Sequence, residues 1–326
     1  ASRAPLRVRA ASRRTRHFPR RRAATISPPA PAPPQGLAPA VERAINKALV
    51  ESTVFMLDRL YGAPGREVAR FYVLETIARV PYFAFLSVLH LYETLGWHRR
   101  ADLLKVHFAQ SMNELHHLMI MEALGGNAKW RDRFFAQHVA LAYFWAVCVL
   151  YAVSPRMAYG FGEFVEEHAY DTYDAYLREH GDELKRMPPP EVAVRYYETG
   201  DLYMFDEFQT ERPLGESYGG RRRPAITSLY DVFVQVRNDE QEHMRTMAAC
   251  QTPGAVRSPH EAEACAAACA PEGGDDKACA AACGELPESR SCSGVIDCVV
   301  RVPTGVLGES LHHAAPPGLR RRSQAA

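Results

Sequence analysis

Asn113-Glu114-Leu115-His116-His117 and Asp239-Glu240-Gln241-Glu242-His243 each carry a Glu-x-x-His step inside a stretch that reads as helix. Residues three apart share a helix face. Each step therefore aims one carboxylate and one imidazole at the same point. A lone carboxylate lies upstream of each step, Glu75 before the first and Glu166 before the second. Two such steps plus one Glu from each of two further helices make the ligand set of a carboxylate-bridged di-iron or di-manganese four-helix bundle. Such a metal pair activates dioxygen, so the pattern points to a redox enzyme. The opposing reading makes His117 and His243 core or solvated histidines and the glutamates surface charges. A third step, Glu309 with His312, lies in a Pro/Ala/Arg-rich tail without apolar periodicity and is taken as chance. The pattern alone therefore has low specificity, and helical context has to carry the argument.

The chain has 326 residues, of which 47% are hydrophobic, enough for one large helical domain with extensions. Its formal net charge of +1 hides an asymmetry: the first 22 residues hold nine arginines and no acid precedes Glu42, so the remainder is net −8. Residues 1–27, rich in Arg, Ala and Ser, match an organelle transit peptide. The alternative is a basic nucleic-acid arm, but no aromatic or base-reading element accompanies the charge, and no nucleic-acid partner is expected. A Pro-rich linker follows at 28–40.

Cysteine use divides the chain. The central region has only Cys148 and Cys250, which suits a reducing compartment. Six more lie between Cys265 and Cys298, and Cys265/Cys269 and Cys279/Cys283 repeat Cys-Ala-Ala-Ala-Cys. On helices that spacing puts both sulfurs on one face, which suits paired disulfides, redox-sensitive thiols or, less well, a thiolate metal site. Residues 261–326 form a Cys-rich, low-complexity extension.

No run of about 18 or more uncharged apolar residues is present. Two shorter apolar, aromatic-rich stretches, 80–92 and 139–153, are too short to span a bilayer. They are long enough for helices that bury one face and lie in the membrane interface. Helical patterns are expected at 41–60, at 68–95 with a kink at Pro81, and at 101–124 with a stop at Gly125-Gly126-Asn127. Further helices are expected at 129–153, at 156–180 closed by Gly181, at 191–197 and at 228–250. The four ligand segments fall on four separate helices. A loop occupies 211–224.

At the ligand segments the sequence resembles the alternative oxidases. Leu74-Glu75-Thr76, Asn113-Glu114-Leu115-His116-His117, Val165-Glu166-Glu167-His168-Ala169 and Asp239-Glu240-Gln241-Glu242-His243 occur in that family's order. The plastid branch is the nearer match. Its hallmarks are Leu74 to Phe83, Ser154-Pro155-Arg156-Met157-Ala158-Tyr159, and Pro190 to Tyr197 continuing into Gly200-Asp201-Leu202-Tyr203. The likeness covers roughly residues 66–260 and leaves the Cys-rich tail unexplained.

The resemblance implies an all-α, ferritin-like four-helix di-iron bundle with additional interfacial helices over residues 41–260. It implies a monotopic membrane protein, with homodimerisation, on the stromal side of the chloroplast thylakoid. The implied reaction oxidises plastoquinol and reduces dioxygen to water. The implied iron ligands are Glu75, Glu114, His117, Glu166, Glu240 and His243. His116, about 100° round the helix from His117, is not among them. Tyr173 and Asp239 match positions acting beside the metals, Tyr173 because it lies two turns beyond Glu166 and Asp239 as a partner orienting an imidazole. Arg70 and Leu74 match quinol-site positions, and His90 and Tyr151 positions important for activity in the plastid branch. The competing readings are a mitochondrial-type ubiquinol oxidase, a di-iron lipid hydroxylase and a ferritin-like iron protein. The Pro190–Tyr203 segment opposes the first, and the lack of His-rich boxes and the apolar helix faces oppose the others.

Overall fold

The computed structural model describes residues 37–97, 100–199, 205, 223–252, 256 and 294–301. Within them the elements are α1 (Leu37–Tyr61), α2 (Glu67–Ala78), α3 (Val80–Thr94), α4 (Ala101–Ala123), α5 (Trp130–Val153), α6 (Pro155–Leu184), α7 (Glu191–Glu198), α8 (Leu229–Cys250) and α9 (Val295–Arg301). Glu75, Glu114 with His117, Glu166, and Glu240 with His243 fall on α2, α4, α6 and α8 respectively. The 1–27 leader, the Cys-Ala-Ala-Ala-Cys repeats and the Glu309/His312 step lie outside the described residues, as does most of the 211–224 loop.

The helix boundaries follow local chemistry. Ser154 serves two helices: its N–H donates to the Leu150 carbonyl at 2.8 Å, ending α5, and its hydroxyl accepts from the Met157 N–H, opening α6 with Pro155 in the first turn. Ser228 and Asp231 form a capping box at the start of α8. Gly125, at φ +86°, ends α4 in a conformation that costs glycine nothing.

Three boundaries differ from the sequence reading. The segment read as one kinked helix over 68–95 is two helices. Pro81 has no N–H to offer the Ile77 carbonyl, and the chain steps at Arg79. The helix expected to close at Gly181 continues to Leu184. Gly181 there faces the Tyr230 ring of α8, and buried Leu184 anchors the added turn. α1 begins at Leu37, inside the stretch read as linker, because a first-turn proline such as Pro39 gives up no hydrogen bond.

Two apolar clusters fill the interior. One gathers Phe71, Tyr173, Phe233, Ile120, Tyr196 and Tyr197 from α2, α4, α6, α7 and α8. The other gathers Tyr82, Phe85, Tyr151, Tyr159 and Met247 from α3, α5, α6 and α8. α9 seats on α5, where Gly294 comes so near the Val153 carbonyl that a Cβ would stand 2.5 Å from its oxygen. Cys298 is buried there and disulfide-bonded.

The apolar surfaces depart from expectation. The stretch 80–92 belongs to α3, which buries eight residues and is a core helix. α5 is the reverse: Leu141, Trp145, Val149 and Val153 form an exposed stripe, with Trp145 64% exposed. α1 exposes a second stripe, Val41, Ile45, Leu49, Met56 and Leu60. The helices also outreach the apolar stretches read from sequence. Residues 67–94 and 130–153 are long and apolar enough to cross a bilayer, although 67% of the first window and only 17% of the second is buried in protein.

Gly126 closes the α2–α4 packing, since a Cβ there would lie 2.6 Å from Tyr72 Cβ and 2.7 Å from the Val68 carbonyl oxygen. Gly126→Ala is expected to lower the unfolding free energy by about 1–3 kcal/mol, read from denaturant unfolding. An unchanged midpoint would show that α2 and α4 separate freely.

Candidate metal centre

α4 and α8 each place a glutamate and a histidine one turn apart on their inner faces, and α2 and α6 contribute Glu75 and Glu166. All six side chains are at most 2% exposed. They form two overlapping groups, Glu75/Glu114/His117/Glu240 and Glu114/Glu166/Glu240/His243, within each of which the ligand atoms lie within 4.8 Å of one another. His117 Nδ1 is 3.0 Å from Glu240 Oε1, and His243 Nδ1 is 2.7 Å from Glu114 Oε1. The helical spacing thus converges as read.

The hydrogen bonds sort the four carboxylates. Glu75 Oε1 accepts from the Tyr173 hydroxyl, and Glu166 Oε1 accepts from the Tyr82 hydroxyl at 2.7 Å. Each of these glutamates keeps one oxygen, Oε2, without a hydrogen-bond partner, whereas Glu114 and Glu240 keep both. The two groups share Glu114 and Glu240. The cluster therefore presents two one-oxygen carboxylates at its flanks and two two-oxygen carboxylates between them. His117 Nδ1 and both ring nitrogens of His243 also lack hydrogen-bond partners. Buried polar atoms left unpaired in this number call for cations, and mixed carboxylate and imidazole donors suit iron or manganese.

The electrostatics agree. Burial pushes the Glu75 carboxyl up to about 8 against the opposing pull of the nearby His117 imidazole, with Glu114 and Glu240 adding to the rise. Burial also opposes the charge of Glu240, but the adjacent His117 and His243 imidazoles outweigh it and hold that group at about 2. Burial disfavours the charged forms of both imidazoles, yet the surrounding anions hold them well above the ordinary histidine range.

Behind His117 stands a second buried network. Asp239 Oδ2 lies 3.2 Å from His117 Nε2 and accepts from Asn113 Nδ2 at 2.9 Å and Tyr197 at 3.0 Å. Its Oδ1 accepts from Arg223 Nη1 at 2.7 Å. Burial penalises the Asp239 charge, but Arg223 and His117 overcome it and hold the carboxyl far below the usual range. Asp239 was read from sequence; Asn113, Tyr197 and Arg223 were not. Arg223 sits in an arginine run read as loop, and nothing in that run marks one member as buried. Tyr82 was missed because it lies beyond the helix break. His116 turns away as expected and stacks on Tyr196, centroids 4.1 Å apart.

The remaining residues singled out from sequence are not among the converging side chains. Arg70 pairs with Asp58 of α1 at 2.8 Å, and Leu74 packs on the Phe71–Tyr173 cluster. His90 is exposed on α3. Tyr151 is buried, its hydroxyl 2.7 Å from that of Tyr159.

The sequence model of the alternative oxidases matches residues 41–252, a span holding all six converging side chains. The chain belongs to the alternative oxidase family. This alternative oxidase is 55% identical over 259 residues to the chloroplastic/chromoplastic ubiquinol oxidase 4 of Arabidopsis thaliana, covering 79% of the chain and 69% of that protein. It is 28% identical over 198 residues to a mitochondrial ubiquinol oxidase of Mangifera indica and to mitochondrial ubiquinol oxidase 2 of Glycine max, covering 60% of the chain in each case. Those alignments span about half the length of the mitochondrial relatives. The identity gap places this alternative oxidase nearer the plastid relative than these mitochondrial ones.

Removing one partner of a buried ion pair strands the other charge. Asp239→Ala is therefore expected to cost about 3–5 kcal/mol of unfolding free energy, measured in denaturant. A loss within error would mean that Arg223 finds other partners at once.

Proposed function

We propose that this alternative oxidase is a plastid plastoquinol:oxygen oxidoreductase, coupling quinol oxidation to the reduction of dioxygen to water at a di-iron centre. The single observation that carries the reading is the pair of overlapping buried groups sharing Glu114 and Glu240, in a chain of this family. Glu75, Glu114, His117 and Glu240 would hold one iron, and Glu114, Glu166, Glu240 and His243 the other. Iron bound there would supply the electron transfer to dioxygen that no side chain performs alone.

The protein's own groups prepare that chemistry. Tyr173 donates to Glu75 and is clamped by Phe71, stacked at 4.4 Å, so its phenol is fixed beside the ligands and able to yield a hydrogen. Asp239, set by Arg223, Asn113 and Tyr197, fixes the ring orientation of His117. The surrounding aromatic clusters exclude water from the cluster.

Quinol enters from lipid. The exposed apolar stripes of α1 and α5 support a monotopic seat in one leaflet of the thylakoid, on the stromal side, with α3 serving as core. Arg70 and Leu74 share a face of α2 beside α1, where the guanidinium can meet a quinone oxygen while Leu74 contacts the ring. Tyr151 and His90 would act on the α3–α5 side. The plastid setting is supported by the identity to the chloroplastic/chromoplastic relative, while plastoquinol as the quinol and homodimerisation rest on family likeness.

Thylakoid-mimetic membranes containing the protein are expected to consume oxygen when given a plastoquinol analogue, and to stop with an iron chelator. Glu166→Ala is expected to lose bound iron and all uptake. Hydroxylated lipid in place of water, or no uptake by the intact protein, would overturn the reading.

Apolar burial scales with area removed from water. Paired charges at Leu141→Glu and Trp145→Glu are therefore expected to release the protein from floated liposomes, with folded helix content kept. Unchanged flotation would place the membrane seat elsewhere.

A further inference from the structure

Tyr82 and Tyr173 contact the two flanking carboxylates in the same manner, one on Glu166 and one on Glu75. Tyr173 is enclosed by Phe71 and Phe233. Tyr82 instead opens onto a continuous file of rings. Its centroid is 6.2 Å from that of His107 and 6.4 Å from that of Phe85, and Phe85 lies 5.1 Å from both His107 and Tyr159. His107 Nε2 is 2.9 Å from the Tyr159 hydroxyl, and the Tyr159 and Tyr151 hydroxyls are 2.7 Å apart. Every member of the file is at most 2% exposed.

The hydrogen positions follow from the neighbours. His107 Nδ1 faces Gln110 Oε1, an acceptor, at 3.2 Å. Nδ1 therefore carries the ring proton and Nε2 accepts from Tyr159. Tyr159, having given its hydrogen, accepts from Tyr151. Burial lowers the His107 imidazole to about 4, so the acceptor is neutral at working pH. A phenol hydrogen-bonded to a neutral imidazole in a dry setting can lose an electron without creating an unbalanced charge, because the proton has somewhere to go.

Along α6, Tyr159 and Tyr173 stand seven residues either side of Glu166. Each is about 10 Å along the axis from that carboxylate. Dioxygen takes four electrons on its way to water, and one quinol gives two. Oxidising equivalents must therefore be kept until a second quinol arrives.

We propose that Tyr82, His107, Tyr159 and Tyr151 form a redox relay that draws an oxidising equivalent from the oxygen-reducing cluster and holds it on the Tyr159–Tyr151 pair. This rests on the oxidase reading above. In the first step Tyr82 gives one electron to the dioxygen-derived oxidant and its proton to Glu166 Oε1. In the second, Tyr159 gives one electron to oxidised Tyr82 and its proton to His107 Nε2, while Tyr82 recovers its proton from Glu166. The net change is one electron delivered to oxygen and one hole on Tyr159, its proton parked on His107. An electron from the second quinol, with return of that proton, restores Tyr159. The quinol's other electron goes to the oxygen site.

The test is rapid-freeze electron paramagnetic resonance on the full chain, iron-loaded and pre-reduced with limiting plastoquinol analogue, then mixed with oxygen. Ring-deuterated tyrosine should narrow the radical signal. Tyr159→Phe, which removes only a hydroxyl, should abolish the component with an exchangeable hydrogen-bonded proton. Tyr82→Phe should abolish the same component while Tyr159 is intact. If either variant is unstable, His107→Gln supplies the second arm, since it removes the proton acceptor and should cause the same loss. A signal unchanged in Tyr82→Phe and Tyr159→Phe, with oxygen uptake continuing, would overturn the relay and leave the oxidase reading standing. No oxygen uptake by the unsubstituted protein would remove the oxidase reading and the relay with it.

Discussion

Four carboxylates in one dry space repel each other, and each alone would be neutralised or expelled. The cost is met from both sides. On the outer side, Tyr173, Tyr82 and the Asp239–Arg223 network fix the geometry with hydrogen bonds. On the inner side, the oxygens that remain unpaired face each other and two imidazoles. The four ligand helices, the aromatic clusters and the buried arginine can all be understood as the cage needed to hold that concentration of negative charge in place.

The cage is not symmetrical. The Glu75 side is closed by a compact aromatic wall. The Glu166 side leads into a file of polar rings spanning α3, α4 and α6 and ending on α5. Each side has a phenol on its flanking carboxylate, but the surroundings of the two phenols differ, and with them the proton acceptors available. Chemistry that needs a fixed hydrogen donor suits the first side, and chemistry that needs charge moved elsewhere suits the second.

Much of this was legible in the residues alone. The three-residue spacing on α4 and α8 fixed which faces turn inward, and the stop at Gly125-Gly126 and the corner at Ser154-Pro155 marked helix ends correctly. Asp239 was readable because it abuts Glu240 in the second Glu-x-x-His step. Tyr82 was not, because its reach to Glu166 depends on the step at Arg79 that separates α2 from α3. Arg223 was not, because burial of one arginine in a run is decided by a distant aspartate. The other polar residues of α4 gave no clue: Asp102, His107, Gln110 and Ser111 are buried too, so hydropathy alone could not tell its inner face. For the same reason α3, apolar in sequence, went to the core, while α1, with charges among its apolar positions, kept an apolar stripe outside.

Ser154 joins α5 to α6 with no residue to spare, its amide finishing one helix and its hydroxyl beginning the next. The outward apolar helix and the helix that carries Tyr159, Glu166 and Tyr173 therefore meet at a stiff elbow. No loop separates the outward apolar helix from the helix that carries the buried cluster, so the seat of the one fixes where the other begins.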